Sequence, residues 1–140
     1  MSQASDYLEN KLLDHTLRNT AFTSPSAVYV GLFLSTTDAA TTVANLEAGT
    51  LTDEVSGNGY ARVQATFGAA HATNGSITTS GNVTFAAANG GDFGTITHIA
   101  IMDALTSGNV LFYGALTTSK QIQDGDTFQI TTGNLTVTLA

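Results

Sequence analysis

Short apolar segments that alternate with polar residues, separated by turn-forming residues, fill most of the chain. The clearest is YARVQATF at residues 60–67, whose period of two predicts a strand. Val63 and Ala65 then face inward, whereas Tyr60 and Arg62 face outward. About seven such segments, with turn signals at the intervals expected of a sandwich, predict a mainly β fold. We expect an antiparallel, jelly-roll-like β-sandwich with one N-terminal α-helix.

The N-terminal residues 5–19 have a helical period and predict that helix. Ser5 or Ser2 provides an N-cap. Asp6 and Glu9 lie in the first turn, where the helix dipole favours negative charge. Four leucines share one broad face at helical spacing: Leu8, Leu12, Leu13 and Leu17. This apolar face either folds back onto its own domain or docks on a neighbouring subunit.

Residues 35–58 have no strong period, and the segment is longer than most loops of compact domains. A short helical turn around residues 43–48 is compatible with the sequence TDAATTVANLEAG. Long segments of this kind are usually functional or disordered, so we expect an arm that contacts a partner. The 140 residues are enough for one ordinary domain, which gives a single domain at 1–140 with its sandwich at 27–140.

The stretch GNGYAR raises the question of a phosphate-binding loop. It lacks the third glycine of G-x-G-x-x-G, and it leads into a strand rather than a helix. Gly57 and Gly59 therefore predict a turn with positive φ angles. Arg62 is expected to pair with Glu54 or Asp53, since cations are few and these carboxylates are close in sequence. A pair inside one subunit would brace the loop, whereas a pair across subunits would fix assembly geometry.

The titratable side chains form no recognised catalytic or metal-binding pattern. The chain has three histidines, each without a partner at metal-ligand spacing, and neither an H-E-x-x-H nor a G-x-S-x-G motif occurs. DGD at residues 124–126 fits an Asp-Gly hairpin turn better than a calcium site, since no fuller set of oxygen ligands surrounds it. His98 alternates with apolar neighbours and is expected to be half-buried. We therefore expect no enzyme activity, no cofactor and no metal.

The chain is acidic and weakly charged for its size. Charged residues make up 11% of it, and its formal net charge is −7. Its four Lys and Arg residues are scattered, which excludes nucleic acid as a partner, because nucleic-acid binding needs clustered cations. The longest strongly apolar run, AVYVGLFL at residues 27–34, is too short to span a membrane. A surface rich in uncharged polar residues is easily desolvated, which suits a protein packed against neighbours.

Several phrases of the sequence together resemble one known family. They are ASDYLENKLLDHTL, AVYVGLFLS, EVSGNGYARV, GTITHIAIMD, GNVLFYGALTTSKQIQDGDTFQI and LTVTLA, in this order. With them the chain is similar to small structural proteins of tailed bacteriophages, labelled tail-fibre or head-decoration proteins. The resemblance covers nearly the whole chain except its middle segment. It implies a non-enzymatic virion component with a compact β fold, assembled in the host cytoplasm.

Two locations in a virion follow from this resemblance. The first is a capsid cement or decoration protein that binds the major capsid shell, which the small size, the amphipathic helix and the long arm favour. The alternative is a tail-fibre or fibre-attachment module, although a chain without Trp has few aromatics for a sugar-binding tip. Either role predicts other virion proteins as partners and a homo-oligomer. The candidate assembly or bracing contacts are Leu8, Leu12, Tyr60 and Arg62.

Overall fold

A five-stranded antiparallel sheet is the central element of residues 2–139, the part of the chain that the computed structural model describes. The two helices are α1 (Asp6–Leu17) and α2 (Ala39–Ala48). The nine strands are β1 (Gln3–Ala4), β2 (Val28–Leu34), β3 (Val63–Ala65), β4 (Ser76–Thr78), β5 (Val83–Thr84), β6 (Gly94–Met102), β7 (Val110–Ile122), β8 (Gln129–Ile130) and β9 (Thr136–Thr138).

The strand pairing is antiparallel throughout these residues. The main sheet has the order β1-β7-β6-β2-β3, and two separate two-stranded ribbons pair β4 with β9 and β5 with β8. The predicted mainly β class with an N-terminal helix is confirmed. The described residues contain nine strands rather than about seven, and they contain a second helix. Neither helix has the length and hydrophobicity needed to cross a membrane.

Both faces of the main sheet are covered. On one face, Val30 and Leu32 of β2 join a core cluster with Phe85 and Phe128, which adjoin the ribbon strands. The rings of Phe85 and Phe128 meet edge to face with centroids 5.8 Å apart. On the other face, Phe33 belongs to a second cluster beneath the helices. Because neighbouring strand residues point to opposite faces, the sheet separates a ribbon layer (β4, β5, β8 and β9) from a helix layer (α1 and α2).

A β-bulge in β6 determines which face of the sheet each of its side chains lies on. Ile96 contributes to the core under the ribbon layer, whereas Ala100 and Met102 contribute to the core under the helices. Residues an even number apart would ordinarily share a face. The pairing register shifts between Ile96 and His98, and this bulge turns the rest of the strand over. Ile96 therefore shares its face with Ile99 rather than with Ala100.

Helix α1 begins where the sequence predicts. Ser5 is the N-cap, and its Oγ accepts a hydrogen bond from Leu8 N at 3.3 Å and donates one to the Val110 carbonyl. Leu8 is buried against the domain. Leu13 and Leu17, however, are 55% and 77% exposed. The first half of the helix therefore folds back onto its own domain, and its second half leaves two leucines in contact with solvent.

Residues 35–58 contain the helix α2 packed on the sheet, and this helix includes the helical turn expected at residues 43–48. The expectation that the segment contacts a partner stays a prediction. Asp38 caps the helix by accepting a hydrogen bond from Thr41 N at 2.8 Å, and Gly49 ends it with φ of 78°. Leu46 is fully buried in the core under the helices. The sequence between the two caps is rich in Ala and Thr, so its apolar period is weak although both caps are standard.

The predicted outward direction of Tyr60 and Arg62 is also wrong. Strand β3 covers only Val63–Ala65, and Arg62 is buried. Three successive residues, Gly57 to Gly59, have positive φ angles of 77°, 55° and 81°. This turn changes the direction of the chain before β3. The alternation of inward and outward side chains therefore begins only at Val63 and does not apply to Tyr60 or Arg62.

The burial of Leu46 generates a prediction about α2. Leu46→Ala is expected to lower the free energy of unfolding by about 2–5 kcal/mol, because it leaves a cavity in a packed core. Leu13→Ala is the matched control, since it makes the same change in a helix at a 55% exposed site. We expect it to change stability by no more than about 0.5 kcal/mol. Urea unfolding of both variants measures the difference, and equal losses would contradict the packing of α2.

Candidate functional site

Arg62 is the centre of a buried polar cluster beside strand β2. Its Nε lies 2.7 Å from Glu54 Oε1, and its Nη2 lies 2.7 Å from Glu54 Oε2. The two parallel hydrogen bonds form a bidentate ion pair. Burial alone would lower the pKa of Arg62, but hydrogen bonding and attraction from Glu54 outweigh burial and raise it. The guanidinium is therefore held charged inside the protein. We call Glu54, Tyr60 and Arg62 the Arg62 cluster.

The remaining guanidinium donors reach the loop between β6 and β7. Arg62 Nη1 donates to the carbonyl oxygens of Ala104 at 2.8 Å and Ser107 at 2.7 Å. The same loop is closed internally, because Asp103 Oδ1 accepts a hydrogen bond from Asn109 N at 2.7 Å. Arg62 thus satisfies backbone carbonyls that a turn would otherwise leave without partners.

Tyr60 joins the cluster to the hydrophobic core. Its hydroxyl donates to Glu54 Oε1 at 2.8 Å and accepts from Leu32 N at 3.0 Å. Its ring stacks on Phe85 and meets Phe93 edge to face, with centroids 6.2 Å and 5.7 Å away. Burial, together with the negative charge of Glu54, raises the pKa of Tyr60. The hydroxyl therefore stays protonated and serves as a fixed hydrogen-bond donor.

The Arg62 cluster connects three segments that are distant in sequence: the loop before β3, strand β2 and the β6–β7 loop. Of the two sequence alternatives for Arg62, the structure contains the ion pair within one chain. Its guanidinium makes four hydrogen bonds inside the subunit. Its geometry is that of a brace between loops.

Asp53, the other predicted partner of Arg62, instead holds helix α2. Thr36 Oγ1 donates to Asp53 Oδ1, and Asn45 Nδ2 donates to Asp53 Oδ2 at 3.2 Å. The hydrogen bond from Thr36 is the main reason that the pKa of Asp53 is lowered. The backbone oxygen of Asp53 accepts from Leu34 N at 2.9 Å. Asp53 thus ties its own segment to α2 through its carboxylate and to β2 through its backbone carbonyl.

His98 and three carboxylates on the helices make further polar contacts inside the fold. His98 is buried rather than half-buried, its Nδ1 lies 2.8 Å from Thr97 Oγ1, and burial lowers its pKa, which keeps it neutral. Carboxylate oxygens of Asp6, Glu9 and Glu47 lie within 4.8 Å of one another, a proximity that the sequence pattern did not predict. Glu47 accepts a hydrogen bond from the Tyr113 hydroxyl at 2.8 Å, which links α2 to β7.

The structure separates the four predicted contact residues into two groups. Leu8 and Leu12 lie on α1, where Leu8 is buried and Leu12 is half-buried. Tyr60 and Arg62 lie together in the Arg62 cluster. The helical spacing of the leucines identified Leu8 and Leu12, and the scarcity of cations drew attention to Arg62. No sequence signal identified Ala104 or Ser107 as partners of Arg62, because backbone carbonyls are present at every position.

The buried ion pair predicts a strong effect of removing Arg62. Arg62→Met is expected to lower the free energy of unfolding by about 3–5 kcal/mol, because Glu54, whose side chain is only 15% exposed, is left without its counter-charge. Arg18→Met is the control, since Arg18 pairs with Asp14 at 3.0 Å while their side chains are 73% and 39% exposed. Its loss should cost no more than about 0.5 kcal/mol. Urea unfolding at neutral pH compares them, and similar effects would contradict a structural role for the Arg62 cluster.

A model of one known protein family matches nearly all of the chain. The family described as Podophage GP4 fiber I protein gp80 matches residues 3–138. Curated proteins give no match to the chain. The matched residues include the main sheet, both ribbons, α1, α2 and the whole Arg62 cluster. The chain therefore belongs to the Podophage GP4 fiber I protein gp80 family, a family of phage fibre structural proteins.

Proposed function

We propose that this chain is a non-enzymatic component of a phage fibre, carried on the virion. The observation that supports this proposal most strongly is the family match over residues 3–138. The match includes both helices and all nine strands rather than one short motif, so it applies to the domain that the structure describes. A fibre component needs a stable folded body and surfaces for neighbouring subunits, and it needs no reacting group.

The arrangement of the polar interior supports a structural role. Within residues 2–139, the buried side-chain nitrogen and oxygen atoms all have hydrogen-bond partners. Arg62 is engaged by Glu54 and two backbone carbonyls, and Asp53 is engaged by Thr36 and Asn45. A general base or nucleophile must keep an atom within reach of its substrate. These groups are used instead to hold loops to the sheet.

The fibre location, which was the alternative from sequence, is better supported than capsid decoration. The sequence hypothesis of a capsid cement protein relied in part on a long arm able to clamp neighbouring subunits. That segment contains α2, whose Leu46 is buried in the domain's own core. The family match names a fibre protein. The proposed partners are accordingly other fibre or tail proteins and further copies of the chain, with no nucleic acid or membrane.

Locating the protein on purified virions tests this proposal. Antibodies against the purified chain, imaged on virions by immunogold electron microscopy, are expected to label fibres or their attachment points. Virions that lack the protein provide the control for antibody specificity. Quantitative mass spectrometry should give a low copy number set by the symmetry of the fibre and its attachment site. Uniform labelling of the head, with a copy number comparable to that of the major capsid protein, would instead establish capsid decoration.

A further inference from the structure

Three Asn-Gly dipeptides lie outside the helices and strands: Asn58-Gly59, Asn74-Gly75 and Asn89-Gly90. Glycine has no side chain to keep its backbone nitrogen away from the Cγ atom of a preceding asparagine. Attack of that nitrogen on Cγ closes a five-membered succinimide ring, which is the first step of asparagine deamidation. The three dipeptides have the same two residues, so the fold determines which of them is free to react.

Hydrogen bonds within the fold restrain two of these dipeptides. Gly90 N, the nucleophile that would attack Asn89, donates to Asp124 Oδ1 at 3.1 Å. Asn58 is half-buried, and its Nδ2 donates to the Asp92 carbonyl at 2.8 Å. The Asn58 carbonyl also accepts from Asn89 N at 2.9 Å. Reaction at either dipeptide must therefore begin with a local opening of the structure.

The third dipeptide, before strand β4, lacks these restraints. Asn74 and Gly75 are both exposed, and Gly75 N donates none of the hydrogen bonds formed within residues 2–139. Gly75 has a φ angle of 62°, and a Cβ atom there would lie 2.6 Å from the Leu139 carbonyl oxygen. The turn therefore requires glycine at this position, and glycine leaves the nucleophile accessible.

Ser76 donates two hydrogen bonds to the carbonyl group that is attacked. Asn74 Oδ1 accepts from Ser76 Oγ at 2.6 Å and from Ser76 N at 3.2 Å. Attack on Cγ transfers negative charge to this oxygen, and donors already in place around such an oxygen lower the barrier. The bond from Ser76 N also closes a turn that contains Gly75 N, so the nucleophile and the attacked group belong to the same ring.

We propose that Asn74 is a site of spontaneous covalent modification, at which this chain loses ammonia and acquires aspartate or isoaspartate. Gly75 N forms a bond to Asn74 Cγ, its proton passes to the departing amide nitrogen, and the bond from Cγ to Nδ2 breaks. Water then opens the succinimide ring at one of its two carbonyls. Opening at the side-chain carbonyl gives aspartate, and opening at the main-chain carbonyl gives isoaspartate. Water is the only co-reactant, and it reaches the exposed turn.

The modification changes one end of the β4–β9 ribbon. Residues 63–91 contain no Asp, Glu, Lys or Arg, so the new carboxylate is the first charged side chain in this span. Isoaspartate also adds one carbon to the backbone directly before Gly75, whose carbonyl oxygen accepts from Leu139 N at 2.9 Å. The next residue, Ser76, pairs with Thr138. We therefore expect isoaspartate to weaken the pairing of β4 with β9.

Mass spectrometry of the purified chain after incubation in mildly alkaline buffer tests the proposal. Trypsin cleaves after Arg62 and Lys120, so Asn74 and Asn89 remain in one peptide, 63–120, and are compared in the same sample. Asn74 is expected to react at least about tenfold faster than Asn89, a ratio that corresponds to about 1.4 kcal/mol of activation free energy. Electron-transfer fragmentation locates each product and distinguishes isoaspartate from aspartate.

The same chain incubated in urea is the control, because the three dipeptides are chemically alike once the fold is lost. Asn58, Asn74 and Asn89 should then react at similar rates. Asn74→Gln should remove the product at this position, since glutamine would have to close a less favourable six-membered ring. Ser76→Ala removes one donor to Oδ1 and should slow the reaction of Asn74 several-fold in the folded chain but not in urea. Circular dichroism verifies that both variants are folded.

Two outcomes would overturn the inference. One is a folded chain in which Asn58 or Asn89 reacts as fast as Asn74. The other is a ratio of Asn74 to Asn89 that is the same with and without urea, because the fold would then have no part in the selection. A folded Ser76→Ala chain that reacts as fast as the wild type would overturn the role assigned to Ser76. All of these readouts concern the isolated chain, so they are independent of its location on the virion.

Discussion

The buried ion pair between Arg62 and Glu54 is the interaction on which the loops around the main sheet depend. Placing two charges in a protein interior costs several kcal/mol per ion, and only good geometry with further hydrogen bonds offsets that cost. Here the Glu54 carboxylate accepts hydrogen bonds from the Arg62 guanidinium and from the Tyr60 hydroxyl. The guanidinium also donates to two backbone carbonyls of the β6–β7 loop. The pair therefore makes the positions of three segments mutually dependent.

The distribution of charge follows the layers of the fold. The charged residues lie in the helix layer, in the buried clusters, in the loops and, for Lys120, on strand β7, whereas the ribbon strands carry none. A protein that works alone in solution gains solubility from charges on every side. A fibre component must instead place at least one surface against a neighbour. The ribbon strands present no charged side chain that such a contact would have to remove from water.

The sequence predicted the class of fold because its periods are local. Leucine spacing and Ser5 identified α1, and runs of β-forming residues identified the strands. For residues 39–48 the sequence predicts no more than a short helical turn at residues 43–48 within an arm, because short Ala- and Thr-rich helices have weak apolar periods. The scarcity of cations predicts a pair between Arg62 and either Glu54 or Asp53, and the structure contains the pair with Glu54. The inward turn of Tyr60, and loop contacts 42 and 45 residues away, depend on tertiary packing that no local pattern encodes.

A double-mutant cycle on the ion pair tests the central claim most directly. Arg62→Met and Glu54→Leu, alone and combined, are compared with the wild type by urea unfolding. The account predicts that each single change is strongly destabilising and that the double variant loses much less than the sum, with a coupling energy of about 2 kcal/mol or more. Additive effects, with a coupling energy below about 0.5 kcal/mol, would contradict the claim that this pair holds the loops in place.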